Sequence, residues 1–218
     1  MITAHGISDA ERRRLHSADK ILIDTTCPLV RRVHDAVLKL QGEGRHVLVL
    51  GKQGHVEVQG LIEDLASYDV VSTADDVRCY DEPLLGVVCQ TTMPPDLADE
   101  ICSHIQLYNP LADIRMVDTI CEPTKVRQRA MLDLVTRVEA VVVVGGRNSN
   151  NTKQLVRICC EHLTPVLHIE RASELEPTWF SDVSVVGLTA GTSTLDSTID
   201  EVEHTLMDMD CRFGAVAE

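Results

Sequence analysis

A repeated parallel-sheet α/β fold is what this sequence predicts, with two complete copies of one unit and the tail of a third around a central site. Three observations predict it. Ile21-Leu22-Ile23-Asp24-Thr25-Thr26-Cys27 is echoed by Arg115-Met116-Val117-Asp118-Thr119-Ile120-Cys121, 94 residues further on. The runs Val47-Leu48-Val49-Leu50-Gly51 and Val141-Val142-Val143-Val144-Gly145 keep the same spacing of 94. Gly86-Val87-Val88-Cys89-Gln90-Thr91-Thr92 aligns with Gly187-Leu188-Thr189-Ala190-Gly191-Thr192-Ser193 at a spacing of 101, which Asp99-Glu100 and Asp200-Glu201 preserve.

Each of the two repeated cysteines precedes a helical pattern with proline near its start, a favoured place for that residue. Leu29, Val33, Val37 and Leu40 share one face of the first helix, and Val126, Ala130, Leu134 and Val138 one face of the second. The continuous apolar runs suit parallel strands buried on both faces. Polar loops, 52–57 and 146–151, lead from them into further helices. Thr3-Ala4-His5-Gly6-Ile7-Ser8 resembles Thr189-Ala190-Gly191-Thr192-Ser193, the end of a repeat, and Ala10–Ser17 reads as its closing helix. Only Met1 and Ile2 precede that loop, fewer than the roughly five or six residues of a usual strand. The chain is therefore expected to open partway through a third copy, whose earlier part carried a cysteine of its own. The predicted divisions are 1–20, the remnant of a first α/β domain; 21–110, a second; 111–210, a third; and 211–218, a C-terminal tail.

At 218 residues the chain suffices for one large or two small α/β domains. Its 44% hydrophobic and 25% charged residues are an ordinary globular composition. A formal charge of −14 argues against nonspecific nucleic-acid binding, which rests on neutralising phosphates with Lys and Arg. A phosphorylated small molecule is still open, because N–H donors at helix starts bind phosphate whatever the net charge. No apolar run is long enough to span a membrane, and the start lacks the regions of a signal peptide. A cytoplasmic location is the default. The eight cysteines then read as reduced thiols, core residues or metal ligands.

Cys27 and Cys121 fall at matched places, just past a strand and before a helix, where α/β proteins put their ligands. They read as metal or cluster ligands, against the alternative of small buried residues. Two thiolates alone do not complete a usual iron–sulfur or zinc site. Cys89 lies inside a strand run and Cys159 shares a helix face with Leu155 and Ile158. Cys79, Cys102, Cys160 and Cys211 have no counterpart, and no CxxC pair occurs. In Gly54-His55-Val56-Glu57, His55 can bind an anion or relay a proton and Glu57 can serve as an acid if its pKa is raised; on an exposed loop both would be unremarkable. Arg147-Asn148-Ser149-Asn150-Asn151-Thr152 is dense in donors at a helix start, where capping explains some and anion binding the rest. Thr91, Thr92 and Ser193 add hydroxyls at equivalent loops, and His5 sits in the fragmentary third.

Five of these motifs stand in the order found in one family: Asp24-Thr25-Thr26-Cys27-Pro28, Gly54-His55-Val56-Glu57-Val58-Gln59-Gly60, Gln90-Thr91-Thr92, Asn148-Ser149-Asn150-Asn151 and Thr189-Ala190-Gly191-Thr192-Ser193. From about Thr3 to about Leu206 the chain resembles the LytB family of 4-hydroxy-3-methylbut-2-enyl diphosphate reductases. The resemblance implies three similar α/β domains around a [4Fe–4S] cluster, held by one cysteine per domain, with Cys27 and Cys121 as the second and third. It implies that His5, His55, Thr91, Ser149, Asn151 and Ser193 hold the substrate diphosphate or its hydroxyl. Asn150 stands beside them where the family commonly has serine. Glu57 matches the carboxylate that delivers protons. The implied reaction is reductive dehydroxylation to isopentenyl and dimethylallyl diphosphate, in non-mevalonate isoprenoid biosynthesis, with a ferredoxin- or flavodoxin-type electron donor and neither nucleic acid nor membrane as partner. The family's opening segment, with its first cysteine and another diphosphate-binding histidine, has no counterpart here. The alternative expectations are an inactive diphosphate-binding fragment, or a subunit that needs a partner chain for the third cluster cysteine.

Overall fold

The computed structural model describes residues 1–18 and 21–213, with side chains to 209. The chain divides into two compact units, Met1–Lys125 and Val126–Glu218.

In the first unit, helix α1 (Asp9–Ser17) closes the opening segment, and α2 (Pro28–Gly42) follows Cys27 with proline in its first turn. Then come β1 (His46–Leu50), α3 (Val56–Ile62), β2 (Tyr68–Val71), β3 (Leu84–Cys89), α4 (Pro95–Tyr108) and β4 (Asp113–Val117). The strands form one parallel sheet in the order β2-β1-β3-β4. Because successive side chains of a strand point to opposite faces, β1 feeds two cores at once. Leu48 and Leu50 pack with Leu85, Val87, Ile101 and Ile105 on one side. Val47 and Val49 pack with Val33, Val37, Leu40, Val58 and Leu61 on the other. Every residue of β1 is buried, which is why the run lacks polar alternation.

The second unit repeats the scheme. Helix α5 (Glu122–Val135) begins before the boundary and leads to β5 (Ala140–Val144), α6 (Asn150–Glu161), β6 (Val166–Ile169), β7 (Val186–Ala190) and α7 (Asp196–Phe213). Its three strands are parallel, in the order β6-β5-β7. Val141 and Val143 pack beneath Met131, Leu155 and Cys159, and Val142 and Val144 beneath Ile169, Leu175 and Val202. The spacings of 94 and 101 survive as registers: Leu50 pairs with Cys89, and Val144 with Ala190. One packing detail repeats too. A Cβ on Gly86 would lie 3.0 Å from a Leu40 methyl carbon, and one on Gly187 would lie 3.0 Å from Leu134 Cγ. Glycine at both places lets the helix lie close on the strand.

Several expectations differ from the structure. The apolar face of α5 is not set by Val126 and Ala130, which are exposed; Met131 and Val135 are buried there, with Leu134 and Val138 half-buried beside them. Residues 21–24 form no strand comparable to β4, only a parallel bridge from Asp24 to Ile2. Thr3 matches Gly191 rather than Thr189: the Gly6 N–H donates to Thr3, the Met93 N–H to Gln90 and the Thr194 N–H to Gly191. The polar loops end earlier than expected, so Glu57, Asn150 and Asn151 lie in the first turns of α3 and α6. The boundary expected at 110/111 differs from the contact division after Lys125, since β4 pairs with β3 of the preceding sheet. Of the expected tail, 211–213 continue α7, and 214–218 lie outside the described residues, as do 19–20.

Candidate functional site

The two cysteine loops are built by the same bonds. Thr25 Oγ donates to the Ile2 carbonyl at 2.5 Å, and Thr119 Oγ donates to the Cys89 carbonyl at 2.6 Å. Two residues later the Cys27 N–H donates to Ala4 and the Cys121 N–H to Thr91, each at 3.0 Å. Asp24 accepts the Thr26 N–H at 2.9 Å, and Asp118 accepts the Ile120 N–H at 3.3 Å. Each aspartate also pairs with a cation one helical turn past the cysteine, Arg31 for Asp24 and Lys125 for Asp118. Arg12 adds a second guanidinium to Asp24 at 2.6 Å. Bonds from Thr26, then the guanidinium, hold the Asp24 carboxyl well below the usual carboxylate range. Each loop thus leads into the following helix with its cysteine at the helix start, the second one from the end of β4.

Both thiols are half-buried and unbridged. Thiolates are the donor type that iron–sulfur groups take. Cys27 and Cys121 therefore fit as two ligands of such a group. Burial pushes the Cys89 thiol up to about 12 and the Cys159 thiol up to about 11, which suits core residues.

Beside these loops the first unit gathers His5, His55, Glu57 and Thr91. The Glu57 side chain is almost wholly buried, yet both its oxygens are held. Oε1 accepts the Thr91 N–H at 2.7 Å, and Oε2 accepts the Thr91 hydroxyl at 2.9 Å. Burial raises the Glu57 pKa and outweighs the opposing bonds from Thr91 and the field of His5. His55 caps α3, its Nδ1 accepting the Glu57 N–H at 3.2 Å, which leaves Nε2 to carry the ring proton. Its ring meets that of His5 edge-on, with centroids 5.5 Å apart. Burial, then His5 and Lys52, lowers the His55 pKa, so the ring is neutral near pH 7. A cavity lined by His5, Arg12, Thr26, Arg31, His34 and Glu57, among others, lies next to them.

In the second unit the expected donors sit at the carboxyl ends of β5 and β7. Ser149 caps α6, accepting the Thr152 N–H at 3.3 Å. Asn150 opens the helix and Asn151 follows, half-buried. Among the described residues, Asn151 Nδ2 and Thr152 Oγ are the buried side-chain polar atoms without a hydrogen-bond partner. Ser193 is exposed in the turn between β7 and α7.

Sequence reasoning singled out the cysteines but missed the residues that hold them. Asp24, Thr25, Asp118 and Thr119 were visible as repeated letters; the signal was their fixed distance before each cysteine. Arg31 and Lys125, also 94 apart, offered the same signal.

A sequence profile described as LytB protein matches residues 1–207. The 4-hydroxy-3-methylbut-2-enyl diphosphate reductase of Aquifex aeolicus is 34% identical over 214 residues, covering 96% of this chain and 73% of that protein. The protein of the same name from Trichlorobacter lovleyi is 36% identical over 208 residues, with 94% and 74% covered. Among solved structures, an (E)-4-hydroxy-3-methyl-but-2-enyl diphosphate reductase, described as the terminal enzyme of the non-mevalonate pathway, matches with a TM-score of 0.64 and 34% identity, covering 94% of this chain and 74% of that one. The Plasmodium falciparum E-1-hydroxy-2-methyl-but-2-enyl-4-diphosphate reductase matches with a TM-score of 0.87 at 28% identity, covering 94% and 65%. The chain spans about three quarters of the curated relatives' length. With the matched cysteine loops, the buried acid and the parallel units all in place, this chain belongs to the LytB family.

Proposed function

We propose that this chain serves the reductive dehydroxylation of 4-hydroxy-3-methylbut-2-enyl diphosphate to isopentenyl and dimethylallyl diphosphate, with Cys27 and Cys121 as two ligands of a [4Fe–4S] cluster. The carrying observation is Glu57, a carboxyl buried against Thr91 with its proton affinity raised. The reaction consumes two electrons and two protons, breaks the allylic C–O bond, releases water and leaves a new C–H bond. Held by these residues, such a cluster would supply the electrons and a Lewis-acid site for the hydroxyl.

The chain's own residues do the rest. Glu57 holds a proton at neutral pH more readily than a surface glutamate, and gives it to the departing hydroxyl. The Thr91 hydroxyl donates to Glu57 in the ionised state, steadying it after transfer. His55, neutral and with its proton on Nε2, offers a donor to diphosphate oxygen rather than a fixed charge; His5 stands beside it. Ser149, Asn150, Asn151 and Ser193 are further diphosphate donors, and the unpartnered Nδ2 of Asn151 supports that role. Electrons come from a ferredoxin- or flavodoxin-type protein, and the setting is cytoplasmic; among the described residues no helix is long and apolar enough to cross a membrane.

The test is Glu57→Gln in protein bearing a complete cluster, with substrate affinity and single-turnover reduction measured separately. The amide keeps the shape and cannot supply a proton, so turnover should fall roughly 10²-fold or more while affinity stays within a few-fold. Reduction at the parent rate would make Glu57 a structural carboxylate.

A further inference from the structure

The two cysteine loops share most of their backbone and side-chain bonds, and among their differences is one that reaches a sulfur. Three residues past the cysteine, the first loop has Val30 and the second Thr124. Thr124 is buried, and its Oγ lies 2.9 Å from Cys121 Sγ. A thiolate has no proton and can only accept, so in the ligand state the hydroxyl must be the donor. Both cysteines precede a helix and both are held through Thr-to-carbonyl, Asp-to-N–H and Asp-to-cation bonds, so these features do not distinguish them. The valine at position 30 has no hydroxyl to give.

We propose that Thr124 is a positioning residue for Cys121, its hydroxyl fixing and polarising the sulfur so that the two matched cysteines are unequal ligands. Hydrogen bonds to ligand sulfurs are among the features that set iron–sulfur reduction potentials, and second-shell partners of this kind orient the ligand. A donor on Cys121 withdraws charge from one side of the bound group and stabilises its reduced form. The inference rests on Cys121 being a cluster ligand, as proposed above, but its test can fail independently.

Iodoacetamide alkylation at neutral pH, read cysteine by cysteine by mass spectrometry on the 218-residue chain, reports each sulfur separately. Thr124→Val keeps the side-chain shape and should slow Cys121 by about threefold or more, because the sulfur loses the hydroxyl that orients it. Cys27 should keep its parent rate. Thr124→Ser should restore Cys121, and Val30→Thr should speed Cys27. In protein with a reconstituted cluster, Thr124→Val should lower the midpoint potential and Thr124→Ser should return it. An unchanged Cys121 rate in Thr124→Val overturns the proposal. So does an equal change at both cysteines, which marks general loosening, or a serine variant no better than valine. Failure of the ligand assignment would look different: under anaerobic reconstitution Cys121→Ser would take up as much iron as the parent chain, whatever the alkylation rates.

Discussion

At the scale of single residues, burial gives Glu57 a pH dependence of its own. Its pKa is higher folded than unfolded, so the native state binds its proton more tightly. The resulting stabilisation is fully present below the unfolded pKa and is lost as pH rises through the folded one. Glu57→Gln cannot ionise and escapes that loss. The stability of Glu57→Gln relative to the parent should therefore rise from about pH 4 upward and level off above the raised pKa. Urea denaturation of both proteins across that range checks the slope, and a flat difference would mean the buried carboxyl titrates normally. His55 gives a binding prediction instead. Its Nδ1 is committed to the α3 cap, so Nε2–H is the donor left for a diphosphate oxygen. His55→Asn should weaken substrate binding about tenfold or more, or roughly 1.4 kcal/mol and upward. Calorimetric titration with the substrate reads this directly; unchanged affinity would remove His55 from the diphosphate site.

Among elements, the two helices that follow the cysteines are equivalent in sequence spacing and unequal in packing. Leu40 of α2 is fully buried over Gly86, while Leu134 of α5, over Gly187, is only half-buried. Leu40→Ala should cost about 2–5 kcal/mol, the usual range for a buried leucine. Leu134→Ala should cost less, because its site is already partly open. Denaturant midpoints of the two variants test the order, and equal losses would show that the repeat is symmetric in energy as well as in spacing. Gly86→Val should destabilise by about 1–3 kcal/mol through overpacking against Leu40.

For the whole molecule, the relevant count is thiolates at strand-end loops. Cys27 and Cys121 are the two placed by matched loops, and a [4Fe–4S] cluster is normally held by three or four. Anaerobic reconstitution of the 218-residue chain should therefore give well under one cluster per chain, and one that is lost in air. Iron and sulfide analysis settles it. A stoichiometric, air-stable cluster would show that another cysteine, from this chain or a second copy, completes the ligand set.

The sequence by itself determined the repeat, the parallel strands, the family and the matched positions of the two cysteine loops. Strands buried on both faces leave continuous apolar runs, and a duplicated unit leaves its spacing in the linear string, so neither needs a partner to be read. The same holds for Asp-Thr-x-Cys, whose bonds lie partly within one short loop. Tertiary structure alone decided the rest. Thr91 holds Glu57 across 34 residues, a pairing set by how the ends of β1 and β3 lie side by side in the sheet. That Asp113–Val117 joins the sheet before it, and that Met131 rather than Val126 faces the core, depends on which surface each segment meets. Periodicity states that a helix has an apolar side; only the packed sheet states where that side begins, because the buried stripe is fixed by contact with strands far away in sequence.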